Sequence, residues 1–300
     1  MKLFTKIALV LASVLLIFGL LFSAIGFKQG VAKAKSEIVI IVNQFRESLP
    51  LGLGNLIGSS WINTNVIHDI QTFQVNEVES IQISSLYGEI VFEGTEGDAI
   101  EVLIDAPADY AYTCEAINGV LDFKDMTEQE VFKNRDITIT FKIPYSMTFS
   151  GIEMAASAGS IHIGYPMKAA DLTVSMDAGQ FDTTEKITAG TASFTISAGQ
   201  IQIDEIEADS LMLFCDVGNM SLSGSINGDL TAETRVGEIE LILTGEESDF
   251  NYEVSRTLGS VYINGEEPKR IARDYTINNK AEKTMTLQCE IGSIEVVVEN

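Results

Sequence analysis

The sequence is short of cations, histidine, cysteine, proline and tryptophan. Its 300 residues hold 19 Lys and Arg against 43 Asp and Glu, with two His, three Cys, five Pro and one Trp. Lys2, Lys6, Lys28, Lys33 and Lys35 all fall in the first 35 residues, which contain no acid. The remainder carries 14 basic and 43 acidic side chains, a formal charge of −29. A nucleic-acid partner is excluded on that balance, because phosphate binding needs a basic face. Anionic membrane surfaces are disfavoured for the same residues. Two isolated histidines, His68 and His162, offer neither metal-ligand spacing nor a catalytic triad, and both read as exposed polar residues. There is no Gly-rich phosphate loop, nucleophile elbow or paired-Cys zinc signature. No catalytic, cofactor-binding or metal-ligating residue is therefore assigned. The acidity does not imply disorder, because 46% of the residues are hydrophobic and can build a core.

What is present begins with one long apolar run. Residues 7–27, IALVLASVLLIFGLLFSAIGF, are free of charge and match the ~20 residues that cross a bilayer. They read as a single transmembrane helix acting as a signal anchor, behind a short tail of residues 1–6. The competing reading is a cleaved signal peptide, with Ala32-Lys33-Ala34 as the cleavage site, although signal h-regions run only ~7–15 residues. Lysines flank both sides of the run, so charge hardly decides its orientation. A single N-terminal export segment places the rest of the chain outside the cell membrane. Residues 28–73 read as a juxtamembrane stalk.

A twenty-residue repeat then dominates. Gly88, Gly159, Gly179, Gly199, Gly218, Gly237, Gly259 and Gly292 recur in similar settings, and from 159 to 237 they are spaced 20, 20, 19 and 19. Two residues after each glycine stand Ile90, Ile161, Phe181, Ile201, Met220, Ile239, Val261 and Ile294, all apolar. Four after stand Phe92, Ile163, Thr183, Ile203, Leu222, Leu241, Ile263 and Val296, with Thr183 the exception. The residues between are mostly polar, such as Gln180 and Asp182, or Glu238 and Glu240. This is the alternation of a half-buried strand.

Before the glycine the apolar set falls on odd offsets. Five before stand Ile83, Met154, Val174, Phe194, Leu213, Ala232, Val254 and Leu287; one before stand Tyr87, Ala158, Ala178, Ala198, Val217, Val236, Leu258 and Ile291. A straight strand cannot lose a residue of parity without turning its apolar side outward. A corner at each glycine resolves the conflict. Each repeat is then strand, corner, strand and a short loop such as Asp204–Asp209 or Gly224–Asp229. No unit of that size buries its own apolar face, so neighbours must stack. The expected fold is all-β: a single-domain β-solenoid over 74–300, β-helix-like and wound right-handed. An antiparallel β-sandwich also explains alternation, but not why one residue class recurs at one offset eight times.

Cys215 and Cys289 both stand three residues before their glycine and read as small core residues. Three strand spacings of ~4.8 Å separate them by about 14 Å, too far for a disulfide. Cys114 lies in an irregular stretch, and no partner is named for it. Lys269, Arg270 and Arg273 form the densest basic cluster beyond the N-terminus, within a polar insertion at 264–284 that reads as a solvated loop. The acidic pairs Glu205/Glu207, Glu246/Glu247 and Glu266/Glu267 lack the spaced oxygens of a dedicated calcium loop.

The stretch DITITFKIPYSMTFSGIEMAASAGSIHI (136–163), with the serial Ala-Gly-x-Ile/Phe motifs after it, resembles the bacterial putative-adhesin domain family, a domain of unknown function. The resemblance covers about 74–300 and implies an envelope-associated β-solenoid, often membrane-anchored, with no catalytic residues to carry over. The expected function is that of a non-enzymatic, membrane-anchored protein serving interaction, adhesion or envelope sensing, with a cell-wall or protein partner and no cofactor. Two alternatives stay open: a glycan-active β-helix enzyme, and a scaffold tethered to the inner face of the membrane.

Overall fold

The computed structural model describes residues 66–127, 137–266 and 273–299. The expected transmembrane segment 7–27, most of the stalk, Lys269 and Arg270 lie outside the described residues. Among the described residues no helix is long and apolar enough to cross a membrane, and the architecture is β throughout apart from two short 3-10 turns.

The strands are β1 (Val66–Gln74), β2 (Val78–Thr95), β3 (Ala99–Pro107), β4 (Tyr112–Ile117), β5 (Gly119–Asp125), β6 (Thr138–Pro144), β7 (Phe149–Gly164), β8 (Met167–Thr183), β9 (Ile187–Ile226), β10 (Leu230–Thr244), β11 (Phe250–Ile263), β12 (Asp274–Ile277) and β13 (Lys283–Glu299). Along the sheet they run β1-β3-β6-β2-β7-β8-β9-β10-β13-β11-β12, with β5 beside β2 and β4 beside β5. From β2 to β11 every pairing on that path is parallel and in register. The glycines stack directly, Gly88 on Gly159, Gly179 and Gly199, then Gly218 on Gly237, Gly292 and Gly259. The all-β class and the rung-by-rung stacking of the glycine repeats are as expected, within a single continuous sheet.

The core forms one continuous column, because the residues two and four beyond each glycine meet their counterparts in the next rung. Ile90, Ile161, Phe181, Ile201, Met220, Ile239, Val261 and Ile294 are all buried, as are the partners five before the glycine. Thr183 also points inward, and its hydroxyl accepts a hydrogen bond from the Asp204 amide at 3.2 Å. That bond removes the cost of burying an unpaired polar group.

Several expectations are corrected. The residue one before the glycine faces solvent: Val217 is 51% exposed, Val236 42%, Ile291 47% and Leu258 74%. The inward series ends at three before, with Ala156, Met176, Ile196, Cys215, Thr234 and Cys289. The corner thus consumes four outward residues, which is how the parity is lost. Asp204–Asp209 is no loop but part of β9, with Ile206 and Ala208 buried. A further corner stacks there, since a Cβ on Gly224 would lie 1.9 Å from the Ile206 carbonyl oxygen. The sheet also starts at Val66, so the end of the stretch read as stalk belongs to it as β1, antiparallel to β3.

Residues that interrupt the repeat cover one end of the stack. The outer edge of β2 is paired by β5 along its first half and by β6 along its second. β3 lies antiparallel on β6, and β4 on β5. Covering this edge removes a row of unpaired backbone groups that would otherwise recruit other strands.

At the other end the order departs from the sequence, because β13 lies between β10 and β11. Thr234 therefore sits between Cys215 and Cys289. The two thiols are two strand spacings apart, about 10 Å, rather than three, and all three cysteines are free. Burial, with Asp216 nearby, pushes the Cys215 thiol from its ordinary 9.0 up to about 11. Cys289 is raised by burial first and by Glu290 second. Both should resist alkylation at pH 8 while the chain is folded and react once urea unfolds it. The folded state holds the Cys215 proton more tightly than the unfolded chain. Its contribution to stability is complete below about pH 9 and is lost as pH rises through about 11. Urea midpoints taken from pH 8 to 11 check this, and Cys215→Ala should flatten the decline.

Candidate functional site

The stacking that aligns the core aligns the outward residues equally. On the face just beyond the corner, successive rungs present Ser160/His162, Gln180/Asp182, Gln200/Gln202, Asn219/Ser221, Glu238/Glu240 and Ser293/Glu295. Each side chain has its counterpart about 4.8 Å away in the next rung. These positions are polar and include no Lys or Arg.

Neighbouring rungs tie these groups together. His162 Nδ1 meets Asp182 Oδ2 at 2.5 Å, and Gln180 Nε2 donates to Asp182 Oδ1 at 3.5 Å. The imidazole is given room by Gly164, where a Cβ would stand 3.1 Å from His162 Nε2. Ser293 Oγ donates to Glu238 Oε1 at 3.4 Å. His162 is thus on the outward face as expected but is not isolated. His68 likewise pairs with Asp105 on the neighbouring β3.

Elsewhere the acids have partners that pattern reading missed. Lys186 Nζ lies 2.8 Å from Glu207 and 3.3 Å from Glu205, so the two carboxylates share its ammonium. These two carboxylates, Glu207 first, raise the lysine pKa. Arg235 Nε sits 2.5 Å from Asp216. Glu246 and Asp249 close a capping box on each other's backbone amides. The Asp69 carboxyl is lowered, chiefly by the Tyr112 hydroxyl and then by Gln71. Burial, reinforced by Asp69 and Asp122, pushes the Cys114 thiol up to about 12, so it is no reactive thiolate. No group of three or more His, Cys, Asp or Glu among the described residues is placed to hold a metal ion.

An open cleft of about 630 Å³ lies at the far end of the stack, lined by Arg256–Ser260, Arg273 and Gly292. Arg273 Nη2 donates to Thr257 Oγ1 at 2.9 Å. Of the basic residues singled out in the sequence, Arg273 lines this cleft. Arg256 lines it too and carried no signal of its own.

Set beside known proteins, residues 78–297 match the profile of the Toastrack family, a domain of unknown function. The chain belongs to the Toastrack (DUF4097) family. No curated protein matches it. Among solved structures it is similar to a putative adhesin from Parabacteroides distasonis at 13% identity, with TM-score 0.46, over 77% of this chain and 97% of that one. It is also similar to a putative lipid binding protein from the same organism at 13% identity and TM-score 0.46, over 79% and 98%. A putative adhesin from Parabacteroides merdae follows at 14% and TM-score 0.43, over 79% and 97%. The Toastrack profile begins at Val78 and ends at Val297, so it takes in the whole glycine stack and leaves β1 outside.

Chemically, the Toastrack face beyond the corner offers rows of hydrogen-bond donors and acceptors at a fixed pitch. Its His162–Asp182 pair is held in place by Gln180, which donates to the other carboxylate oxygen.

Proposed function

We propose that this Toastrack chain is a membrane-anchored, non-enzymatic protein of the cell envelope, held by residues 7–27. Its stacked outer face is the contact surface, and the partner is a component of the cell wall or another protein. The observation that carries this reading is the unbroken register of outward polar side chains from Ser160 to Glu295. Such a face meets an elongated partner at many equivalent points while the core beneath stays rigid. The acid surplus of residues 36–300 keeps the surface soluble and resists edge-to-edge association.

Protease shaving of intact cells tests the placement. The fragments from 66–299 should disappear from the cell pellet while the N-terminal peptide stays with the membrane. Protection of 66–299 until the cells are lysed would place the domain on the inner face instead. Incubation with cell-wall and acidic polysaccharides should leave them uncut, and new reducing ends or unsaturated products would make the chain an enzyme.

A further inference from the structure

One rung is filled out of order. β11 continues the path of β10 along the chain, yet β13 is laid between them, parallel to both. We propose that this slot is an exchangeable strand site, filled either by the chain's own β13 or by residues 283–299 of a second copy of this chain. The inference goes beyond the envelope function above and does not depend on it.

The slot is specific for this strand. Met285, Leu287, Ile294 and Val296 are fully buried in it. At the corner a Cβ on residue 292 would stand 1.8 Å from the Gly237 carbonyl oxygen, so only glycine is accepted there. At the entrance the Thr284 amide donates to Asp229 Oδ1 at 2.8 Å and Lys283 Nζ to the Ile226 carbonyl at 3.1 Å. The same ammonium lies 4.7 Å above the centre of the Phe250 ring. A strand entering here must therefore present a cation, alternating apolar residues and a glycine in fixed order. β13 meets that description, and any other copy of the chain supplies it equally.

The link into the slot is short and strained. Between β12 and β13 run residues 278–282, in which Lys280 has φ +60°, a left-handed conformation unfavourable for a side chain with a Cβ. The link is pinned to the coil below, with Asn279 Nδ2 donating to the Phe250 carbonyl at 2.8 Å and Asn251 Oδ1 accepting from the Asn279 and Ala281 amides. Short hinges under strain favour strand exchange, because opening the hinge releases the strain while every contact of the strand is remade in the other copy. Reciprocal exchange closes a dimer, and one-way exchange builds an open row of copies.

The test uses the facing pair Glu238 and Ser293, which point outward from adjacent strands. Full-length chains carrying Glu238→Cys or Ser293→Cys are mixed in detergent micelles, refolded together from mild urea and oxidised. A covalent heterodimer bridged between 238 and 293 is expected, in a yield that rises with protein concentration. Lys280→Gly in both chains should lower that yield about fivefold, equivalent to the ~1 kcal/mol of strain it removes. A chain carrying both cysteines should bridge to itself when dilute, and its failure to do so denies β13 its place beside β10 and overturns the proposal. Absence of the heterodimer overturns it as well. So does a product joined only 238 to 238 or 293 to 293, which means association through a different surface.

Discussion

Gly199→Ala is expected to destabilise the chain by more than about 4 kcal/mol, a loss outside the ordinary range for one substitution. Gly199 sits at φ +144° in the middle of the stack, and an added Cβ would lie 1.8 Å from the Gly179 carbonyl oxygen and 2.9 Å from Ile196 Cδ1. The backbone term alone costs of order 1–3 kcal/mol. The steric term cannot relax locally, because the rung below carries the same clash geometry at Gly218, whose Cβ would meet Gly199 in turn. Shifting one corner therefore displaces its neighbours. A suitable contrast is Gly151→Ala, where the nearest atom to the new Cβ is the Asp171 carbonyl oxygen at 4.0 Å and φ is not positive. That variant should be neutral or slightly stabilising, through the reduced freedom of its unfolded chain. Urea unfolding of both variants followed by far-UV circular dichroism reads the difference. Near-equal midpoints would mean that the corners are not tightly stacked.

Much of this architecture was legible because stacking imposes one rule on every repeat. The offsets at which Ile201 or Phe194 face inward can be read by aligning eight glycines, without knowing where any rung lies. The width of the corner was not legible, since an apolar residue such as Val217 looks the same in sequence whether it faces the core or solvent. The strand through 204–209 was hidden for a related reason: Ile206 and Ala208 stand among Asp204, Glu205, Glu207 and Asp209, and the acids suggested a loop. Strand order is the deepest limit. β11 and β13 both match β10 in glycine position and apolar offsets, so the pattern cannot say which of them lies beside it. The candidate face was visible as a run of polar positions, but its ion pairs join residues one repeat apart rather than near neighbours in sequence. His162 and Asp182 are 20 residues apart, and Lys186 with Glu205 and Arg235 with Asp216 are likewise one coil apart. A search for opposite charges at one repeat length would have found them.

Phe92→Ala should cost about 3–5 kcal/mol, the usual range for emptying a buried aromatic site. Phe92 is fully buried in the second half of β2, where the stack of repeats meets the strands that cover its end. Its ring stacks on Phe141 of β6 with centroids 5.0 Å apart and an interplanar angle of 14°, and on Tyr165 at 6.4 Å. Phe141 in turn meets the edge of Phe123 from β5. Phe92 thus joins β2 to β6 directly and to β5 through Phe141. Its loss opens a cavity at the seam and also removes the aromatic contacts, each of which contributes ~0.5–1.5 kcal/mol beyond burial. For a domain of this size the melting temperature should fall by about 6–20 °C. Val91→Ala, one residue away on the outward side of the same strand, should change stability by no more than ~0.5 kcal/mol. Hydrogen exchange separates the cover from the stack: in Phe92→Ala the amides of β5 and β6 should lose protection before those of β8 and β9. Uniform loss across all rungs would show instead that the end strands and the repeats unfold as a single unit.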